Sequence, residues 1–489
     1  MTSPVQKTVQ QTAKTLAWST LGTAAIVALH HRYRSQSIKS ARLVDYPAGL
    51  KSELLRLARA GQIGTQAFIK AYQDSEFALE KASQDLAKAD YSETNRSSES
   101  AVATVQWVSG VAALVEGGYG VVGVDSERQI VWQTPMSERV HDIVVQPAAH
   151  GINLITGATT YTRTDATIAT KGREVVVMGR RPSERFWVLD TTSGELRHTI
   201  KAQSERHFYG HACFSLDGDY LYVTENDTVS LAGKIGVYDA HQGYQKVKEF
   251  DSHGIGPHEL VMHPDGETLV IANGGIKTEK ASRDELNLDS MRPSLAYLNR
   301  HDGTLLEQVV PQHPQMSVRH LDIHHDGTVM IGIQFQGPKH INVPLVLSHQ
   351  RGDTDFTPLQ MPQNQWQCFH QYIASVAVDA EHNLLCVTTP IGGCTAVYDL
   401  ATRQLIDVVT LPDCAGASVI KTAATDPDNA GFIVSDGQGS ITALSLTKKA
   451  NVSQKVSEQT LDSATDNSWQ ISVTAVYHKM SFDNHLQAL

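Results

Sequence analysis

The feature that most constrains the fold is a repeat in residues 206–275. Two passes of one pattern lie there: an apolar strand led by a histidine, an Asp-Gly turn, a second apolar strand and a return strand. The turns are Asp217-Gly218 and Asp265-Gly266, and such pairs favour tight hairpins because their residues tolerate turn dihedrals. Since repeats of about 40 to 50 residues are typical of propellers and solenoids, each pass predicts one β-meander.

The pattern recurs along the chain and predicts an all-β fold, a seven-bladed β-propeller of the YVTN/WD-repeat type, over residues 105–489. Six blades are expected between about Val140 and Thr447. The seventh is assembled from residues 106–135 and from the C-terminal sequence WQISVTAVYHKMSFDNHL. Pairing the two ends closes the ring and removes exposed strand edges. Six or eight blades are the alternatives.

Residues 1–35 are predicted to be a signal peptide or signal-anchor. Lysines precede a mostly apolar run at Leu16–Leu29, which is too short to span a bilayer but matches the apolar core of a secretory signal. The basic sequence HHRYR follows directly, and cationic residues prefer the cytoplasmic side, so an amphipathic or buried helix is the alternative. We expect a periplasmic protein, or a membrane-anchored one that faces the periplasm.

Residues 36–100 are predicted to be a helical segment followed by a polar linker. Apolar residues recur at helical intervals in Leu50–Asp90, which contains no proline. Gly61 and Gly64 divide this stretch into two helices. The polar run Ser92–Ser100 is typical of a linker.

Charge limits the partners of the propeller. The formal net charge is −11, and the propeller carries no basic block. Phosphate binding needs clustered lysines and arginines, so nucleic acid is excluded as a partner. We also expect the protein to be a monomer. Five cysteines without a C-x-x-C spacing support neither a disulfide framework nor a zinc site. Cys386 and Cys394 flank a predicted hairpin and either pair across it or are small buried hydrophobes.

The histidines are the residues most suited to chemistry. The chain has 22, and His141, His211, His258 and His320 open the first strands of successive blades. First strands line the channel of a propeller, so these imidazoles would converge on one axis, as a transition metal requires. We regard these four as candidate ligands for iron or copper, and His207, His253 and His485 as weaker candidates.

The spacing leaves the direction of these side chains open. His141 and His258 each lie six residues before a proline, whereas His211 and His320 each lie six residues before an aspartate. The two pairs therefore differ by one residue in register, and such a slip reverses the face of a regular strand. A bulge would restore one ring of histidines. In the alternative, each histidine donates a hydrogen bond that ties one blade to the next.

Further polar residues surround these histidines and are expected at the channel mouth. A long insertion follows Gly275, and loops of that length are usually functional or disordered. It is interpreted as a lid or as a solvated excursion. The channel-mouth candidates are Arg206, Tyr209, Glu225, Asn226, Glu259, Asn273 and Arg292.

Several phrases resemble a bacterial family, domain of unknown function 1513. They include RHFYGHACFSLDGDYLYVTEND, FDSHGIGPHELVMHPDGETLVIANGGI, SVRHLDIHHDGTVMIGIQFQG and FDNHL, and the likeness extends from about Val108 to Leu489. The resemblance implies an exported, usually periplasmic protein made beside imelysin-type iron-uptake proteins, with no established activity. Members commonly begin with a twin-arginine signal, whereas no Arg-Arg pair precedes the apolar run here. The family also places histidine at the positions of His211, His258, His320 and His485.

Three functions fit the sequence. In the first, channel histidines bind a transition metal and the protein handles iron or copper at the cell envelope. In the second, the propeller is a scaffold for an imelysin-like partner and the histidines are structural. In the third, it is a metal-dependent lactonase or oxidoreductase, which we rank lower because the catalytic motifs of hydrolases and zinc proteases are missing from the sequence.

Overall fold

The computed structural model describes residues 104–147, 173–181, 183–277, 286–421, 428–448 and 469–489. These residues belong to the second of two units into which the chain divides, Arg96–Leu489. The predicted signal segment, the helical segment at 36–100 and part of the insertion after Gly275 lie outside the described residues. No helix in the described ranges is long and apolar enough to cross a membrane.

The described residues form seven antiparallel sheets of four strands each, and the predicted seven-bladed propeller is confirmed. Blade 1 begins with β1 (Val105–Ala113), β2 (Tyr119–Asp125) and β3 (Ile130–Met136). Blade 2 contains β4 (Val140–Val145), β5 (Glu174–Gly179), β6 (Arg185–Asp190) and β7 (Leu196–Lys201). Blade 3 contains β8 (Arg206–Phe214), β9 (Tyr220–Asp227), β10 (Gly233–Asp239) and β11 (Gln245–Asp251).

The remaining blades repeat this order. Blade 4 contains β12 (Pro257–Met262), β13 (Thr268–Asn273), β14 (Ser294–Asn299) and β15 (Leu305–Val309). Blade 5 contains β16 (Met316–Ile323), β17 (Val329–Phe335), β18 (Val346–His349) and β19 (Thr357–Pro358). Blade 6 contains β20 (Ser375–Asp379), β21 (Leu384–Thr389), β22 (Cys394–Asp399) and β23 (Gln404–Thr410). Blade 7 contains β24 (Cys414–Val419), β25 (Asn429–Asp436), β26 (Ser440–Lys448) and β27 (Trp469–Tyr477).

The last strand of the chain, β28 (Ser481–Ala488), closes the ring. It pairs with β1, with Trp107 opposite Ala488 and Val111 opposite Phe482. Closure by the two ends is therefore confirmed, with one correction. Strand β27 pairs with β26 and completes blade 7, so six blades occupy 140–477 rather than ending near Thr447. Short 3-10 helices lie at Ala240–Gln242, Leu288–Ser290, Pro362–Asn364 and Trp366–Phe369.

Seven inner strands surround the channel. Strands β28, β4, β8, β12, β16, β20 and β24 each contact the next in that order, and β24 contacts β28 again. The strands beside them are almost wholly buried, as in β5 (EVVVMG), β13 (TLVIAN) and β21 (LLCVTT). Because both faces of such a strand pack against neighbouring blades, each buried valine, leucine or isoleucine contributes about 1.5–3 kcal/mol. This packing holds the inner strands in place.

The Asp-Gly turns have the geometry that the repeat predicts. Gly218 and Gly266 have φ of 77° and 70°, a region where a side chain would be strained. The preceding aspartates cap the turns: Oδ1 of Asp217 accepts from the amide of Asp219 at 3.0 Å, and Oδ1 of Asp265 accepts from the amide of Glu267 at 2.8 Å. The turns thereby fix where each first strand ends.

The cysteines are all free, so a disulfide between Cys386 and Cys394 is not formed. Cys386 lies opposite Val397 and Cys394 lies opposite Thr389 across the same hairpin. The two cysteines therefore sit at different levels of the β21–β22 ladder. The Cys386 thiol instead contacts Oγ1 of Thr395 at 3.2 Å.

Candidate metal site

Five histidines from the inner strands of blades 1 to 5 meet in the channel. His141 lies on β4, His211 on β8, His258 on β12, His320 on β16 and His485 on β28. The centroid of the His211 ring lies close to the centroids of the other four rings. The distances are 4.6 Å to His141, 4.6 Å to His258, 4.9 Å to His485 and 5.7 Å to His320. His211 is thus the centre of a group that we call the histidine cluster.

Irregular pairing brings these side chains to one place. The register of β4 with β5 shifts between Val140 and Ile143, around His141. Equivalent shifts lie around or at the other four histidines, in the pairing of β8, β12, β16 and β28 with their neighbours. A bulge inserts a residue and re-aims the side chain. The one-residue offset in the sequence is therefore absorbed by irregular strands, and all four main candidates converge.

Each ring of the histidine cluster has one buried nitrogen with neither a hydrogen-bond partner nor a carboxylate contact among the described residues. These atoms are Nδ1 of His141, Nδ1 of His258, and Nε2 of His211, His320 and His485. A buried polar atom left unpaired costs about 1–3 kcal/mol, and such atoms are rare in folded proteins. Five at one place make a donor set for a cation, because a neutral imidazole nitrogen carries a lone pair.

Two carboxylates lie behind the rings. Oδ2 of Asp142 lies 3.3 Å from Nδ1 of His211, and its Oδ1 lies 3.7 Å from Nδ1 of His485. Oε2 of Glu259 lies 2.9 Å from Nδ1 of His320. In each of these three rings the opposite nitrogen, Nε2, is the unpaired one. Carboxylates behind metal-bound imidazoles typically orient the rings and raise their basicity.

Burial and charge set the protonation of the cluster. Burial lowers the pKa of His141, His258 and His320 well below the ordinary range, and the charge of nearby His211 lowers it further. Burial also lowers the pKa of His485 to about 4. His211 differs: burial opposes its charged form, but the Asp142 carboxylate outweighs this effect and raises its pKa. The four neutral rings are in the form that binds metal, and His211 would have to release its Nε2 proton to an incoming ion, as metal-bound imidazoles do.

The ligand atoms fall into two groups of three. In one group, the atoms of His141, His211 and His258 all lie within 4.8 Å of one another; in the other, those of His211, His320 and His485 do so. The second group is fully buried, whereas His141 and His258 are partly exposed. Both groups contain His211, whose Nδ1 faces Asp142. Only its Nε2 is left for a metal, so the groups describe alternative positions for one ion.

A family model described as "Protein of unknown function (DUF1513)" matches residues 159–489, more than half of the chain. This chain belongs to that family. The matched region includes His211, His258, His320 and His485, whereas His141 precedes it. No curated protein matches the chain. A solved structure of Kuenenia stuttgartiensis hydrazine synthase is similar to it, with a TM-score of 0.47 and 14% sequence identity, covering 70% of this chain and 95% of that one.

Two weaker histidine candidates in this family member lie apart from the cluster. His207 is buried on β8, with its ring 5.5 Å from that of Tyr209. His253 follows β11 with a φ of 53°, and its Nε2 contacts the carbonyl oxygen of Gly303 at 3.1 Å. Neither belongs to the groups of potential metal ligands found among the described residues.

Most of the polar residues expected at the channel mouth have other partners. Nε of Arg206 donates to Oε2 of Glu249 at 2.9 Å. Glu225 is buried on β9 between Tyr238 and Lys246, and Nδ2 of Asn273 donates to the carbonyl oxygen of Ser252 at 2.9 Å. The guanidinium of Arg181 stacks over the Tyr209 ring, Asn226 is buried on β9, and Arg292 is exposed. Of this set, Glu259 contacts the histidine cluster through Nδ1 of His320.

Sequence reasoning missed Asp142, the residue that contacts two rings of the cluster. A signal for it exists: an acidic residue directly follows His141 in β4 and His258 in β12. Each of these acids also reaches the next blade. Oδ2 of Asp142 accepts from the amide of Ala212 at 3.4 Å, and Oε2 of Glu259 accepts from the amide of Leu321 at 3.1 Å. The acids therefore join adjacent blades and orient rings at once.

Proposed function

We propose that this propeller binds one transition-metal ion in its channel through the histidine cluster. The observation that carries the proposal is the set of five buried imidazole nitrogens without hydrogen-bond partners. A core that needed these histidines only to tie blades together would leave few of their buried nitrogens without hydrogen bonds. An ion bound by three of the nitrogens would offset the cost of burying them.

The chemistry of the donor atoms limits which metal ions suit the site. Both ligand groups contain histidine alone, with carboxylates placed behind the rings rather than within the groups. Imidazole suits zinc, copper, iron and nickel, whereas calcium and magnesium prefer oxygen. Non-haem iron sites commonly combine two histidines with one carboxylate, and copper binds most tightly of the divalent first-row ions. We therefore favour copper over iron as the ion handled.

The number of ions follows from His211. Because its Nδ1 contacts Asp142 and only its Nε2 remains, one ion at a time can use this histidine. A second ion would have to bind through two ligands only. We expect one equivalent of metal per chain, held most firmly in the buried group with His320 and His485.

Metal binding is tested on protein purified without chelator or affinity metal and then loaded with Cu²⁺. Elemental analysis after desalting should give about one copper per chain, and saturation at about 1,000 times Kd should raise stability by about 4 kcal/mol. The variant His211→Gln should lose the copper. The matched control is His241→Gln, because His241 is 72% exposed and pairs only with Asp219 on the surface.

Two results would overturn the proposal. Wild-type protein that holds no metal after separate loading with Cu²⁺, Zn²⁺ and Fe²⁺ would show that the cluster is structural. A folded His211→Gln variant that keeps its copper would place the metal elsewhere. If His211→Gln fails to fold, X-ray absorption of copper-loaded wild-type protein tests the proposal without a variant. Imidazole ligands give a characteristic scattering pattern, and a spectrum without that pattern would contradict the proposal.

We also propose that the protein works at the cell envelope beside an imelysin-like partner. Support comes from the apolar run Leu16–Leu29 and from the family resemblance. Fractionation of cells that express the full chain tests the location: recovery with periplasm or membrane supports it, and recovery with cytoplasm alone contradicts it. Purification of the full chain from cells that also produce the imelysin-like protein tests the partner, with co-elution expected.

A further inference from the structure

We propose that the two ligand groups of the histidine cluster are successive positions on one path, on which an ion enters at the partly exposed group and moves to the buried one. The inference rests on the proposed metal site and adds the route and its direction. The two groups share His211 and differ in their other two rings. We call the group with His141 and His258 the entry group. The group with His320 and His485 is the buried group.

The entry group stands between solvent and the rest of the cluster. His141 and His258 are partly exposed, although Nδ1 of each ring is buried. The shared ligand His211 is fully buried, and His320 and His485 have only 2% and 8% of their surface accessible. An ion that arrives from solvent therefore meets the rings of the entry group before those of the buried group.

The two groups are close enough for an ion to pass directly between them, because each entry ring lies beside one buried ring. The centroids of His141 and His485 are 5.1 Å apart. Those of His258 and His320 are 4.8 Å apart. The His211 centroid lies within 5.7 Å of all four. An ion that keeps its bond to Nε2 of His211 can thus exchange its other ligands without returning to water.

Carboxylates set the direction of this movement. Oδ1 of Asp142 lies 3.7 Å from Nδ1 of His485. Oε2 of Glu259 lies 2.9 Å from Nδ1 of His320. Neither entry ring has such a carboxylate contact among the described residues. Because a carboxylate behind a metal-bound imidazole commonly strengthens metal binding by about 10- to 100-fold, the ion should be more stable in the buried group.

The path predicts two kinetic phases of copper uptake. The metal-free full chain is mixed with Cu²⁺ and frozen after set times, and electron paramagnetic resonance distinguishes the copper environments. A first signal should appear at a rate proportional to the copper concentration. It should then convert to the final signal at a rate that is independent of this concentration, because the second step takes place within the protein.

Two variants separate the steps. His485→Gln removes a ligand of the buried group, so the first signal should persist and a competing chelator should remove copper more readily. His258→Gln removes a ligand of the entry group, so the first signal should be lost and uptake should be slower. His241→Gln is the matched control and should show both phases, because this histidine is exposed on the surface and pairs with Asp219.

The outcomes distinguish this proposal from the metal site on which it rests. Wild-type protein that binds no metal would contradict both. Bound copper that gives one signal from the first time point to the last would contradict the path and leave the metal site standing. So would a His258→Gln variant that keeps the first signal and takes up copper at the wild-type rate.

A fourth outcome concerns the direction alone. A His485→Gln variant that reaches the final wild-type signal would show that the ion does not come to rest in the buried group. The two phases are measured on wild-type protein, so a variant that fails to fold leaves the test intact.

Discussion

Oδ2 of Asp142 lies 3.3 Å from Nδ1 of His211, across the boundary between blades 2 and 3. Oδ1 of the same carboxylate lies 3.7 Å from Nδ1 of His485 in blade 1. One buried side chain thus contacts two rings from the blades on either side of its own. Both rings keep Nε2 as the unpaired atom, which makes Asp142 a positioning residue of the proposed metal site.

Asp142→Asn should weaken metal binding about 10- to 100-fold, the usual effect of losing a carboxylate behind a metal-bound histidine. The amide keeps an acceptor for the amide of Ala212, so the fold should persist. Competition titration with Cu²⁺ measures the change. Asp219→Asn is the control, because Asp219 pairs with the exposed His241 and its loss should leave copper affinity unchanged. Equal affinities in both variants would contradict the role of Asp142.

Gly210→Ala should also weaken metal binding, because the His141 ring packs against His211, the ligand common to both groups, with ring centroids 4.6 Å apart. Gly210 has a φ of 109°, and a Cβ there would lie 2.7 Å from Cδ2 of His141. The methyl group must displace this ring, and the backbone strain should cost about 1–3 kcal/mol of stability. Copper titration and chemical denaturation measure the two effects separately.

Gly243→Ala is the control for backbone strain. Gly243 has a φ of 62°, but the nearest atom to an added Cβ is 3.7 Å away. This variant should lose stability and keep its copper affinity. If Gly210→Ala bound copper as tightly as Gly243→Ala, the position of the His141 ring would have no effect on the ion at His211.

Arg139→Leu should destabilise the ring closure by about 3 kcal/mol. Nε and Nη2 of Arg139 donate to the two carboxylate oxygens of Asp483 at 2.7 and 3.0 Å, and Asp483 is buried on the closing strand β28. Without Arg139 the buried Asp483 carboxylate loses its bidentate partner, and a buried charge with weaker pairing lowers the free energy of unfolding. Denaturant unfolding monitored by tryptophan fluorescence measures the loss.

Arg185→Leu is the matched control for that change. Its ion pair with Glu138 is about one-third exposed on both sides, and such pairs contribute within about 1 kcal/mol. Similar losses in the two arginine variants would mean that the Arg139 contact does not hold the closing strand.

Acid should remove a contribution to stability that comes from Glu249. Hydrogen bonds from Arg206, and then from Lys246, lower the pKa of Glu249 to about 2, against an ordinary value of about 4.3. Because the folded pKa is depressed, this stabilisation is full above about pH 4.3 and is lost as pH falls towards about 2. Solvent screening limits it to about 1 kcal/mol.

Glu249→Gln should flatten that part of the pH profile. The measurement is the free energy of unfolding of both proteins between pH 2 and pH 6. The two curves should differ most above about pH 4.3 and approach each other in acid. Curves that stay parallel over the whole range would show that Glu249 contributes nothing through its charge.

Much of the architecture could be predicted from local sequence. Asp217-Gly218 and Asp265-Gly266 mark hairpins, because the glycine permits the turn geometry and the aspartate accepts hydrogen bonds within the turn. Their regular recurrence predicts blades, and the strands left at the two ends predict closure. The sheet that β27 joins could not be predicted, because blade 7 and the closing blade each offer a strand edge with which it could pair.

Local sequence also identified the histidines as candidate metal ligands, but only the tertiary structure decided which of them lie together. An alternating strand pattern assigns His141 and His211 to opposite faces, and a bulge, which has no reliable sequence signal, overrides that alternation. His485 joins the cluster because ring closure brings residues hundreds of positions apart into contact. Asp142 gains its role for the same reason: its two imidazole partners, His211 and His485, come from other blades.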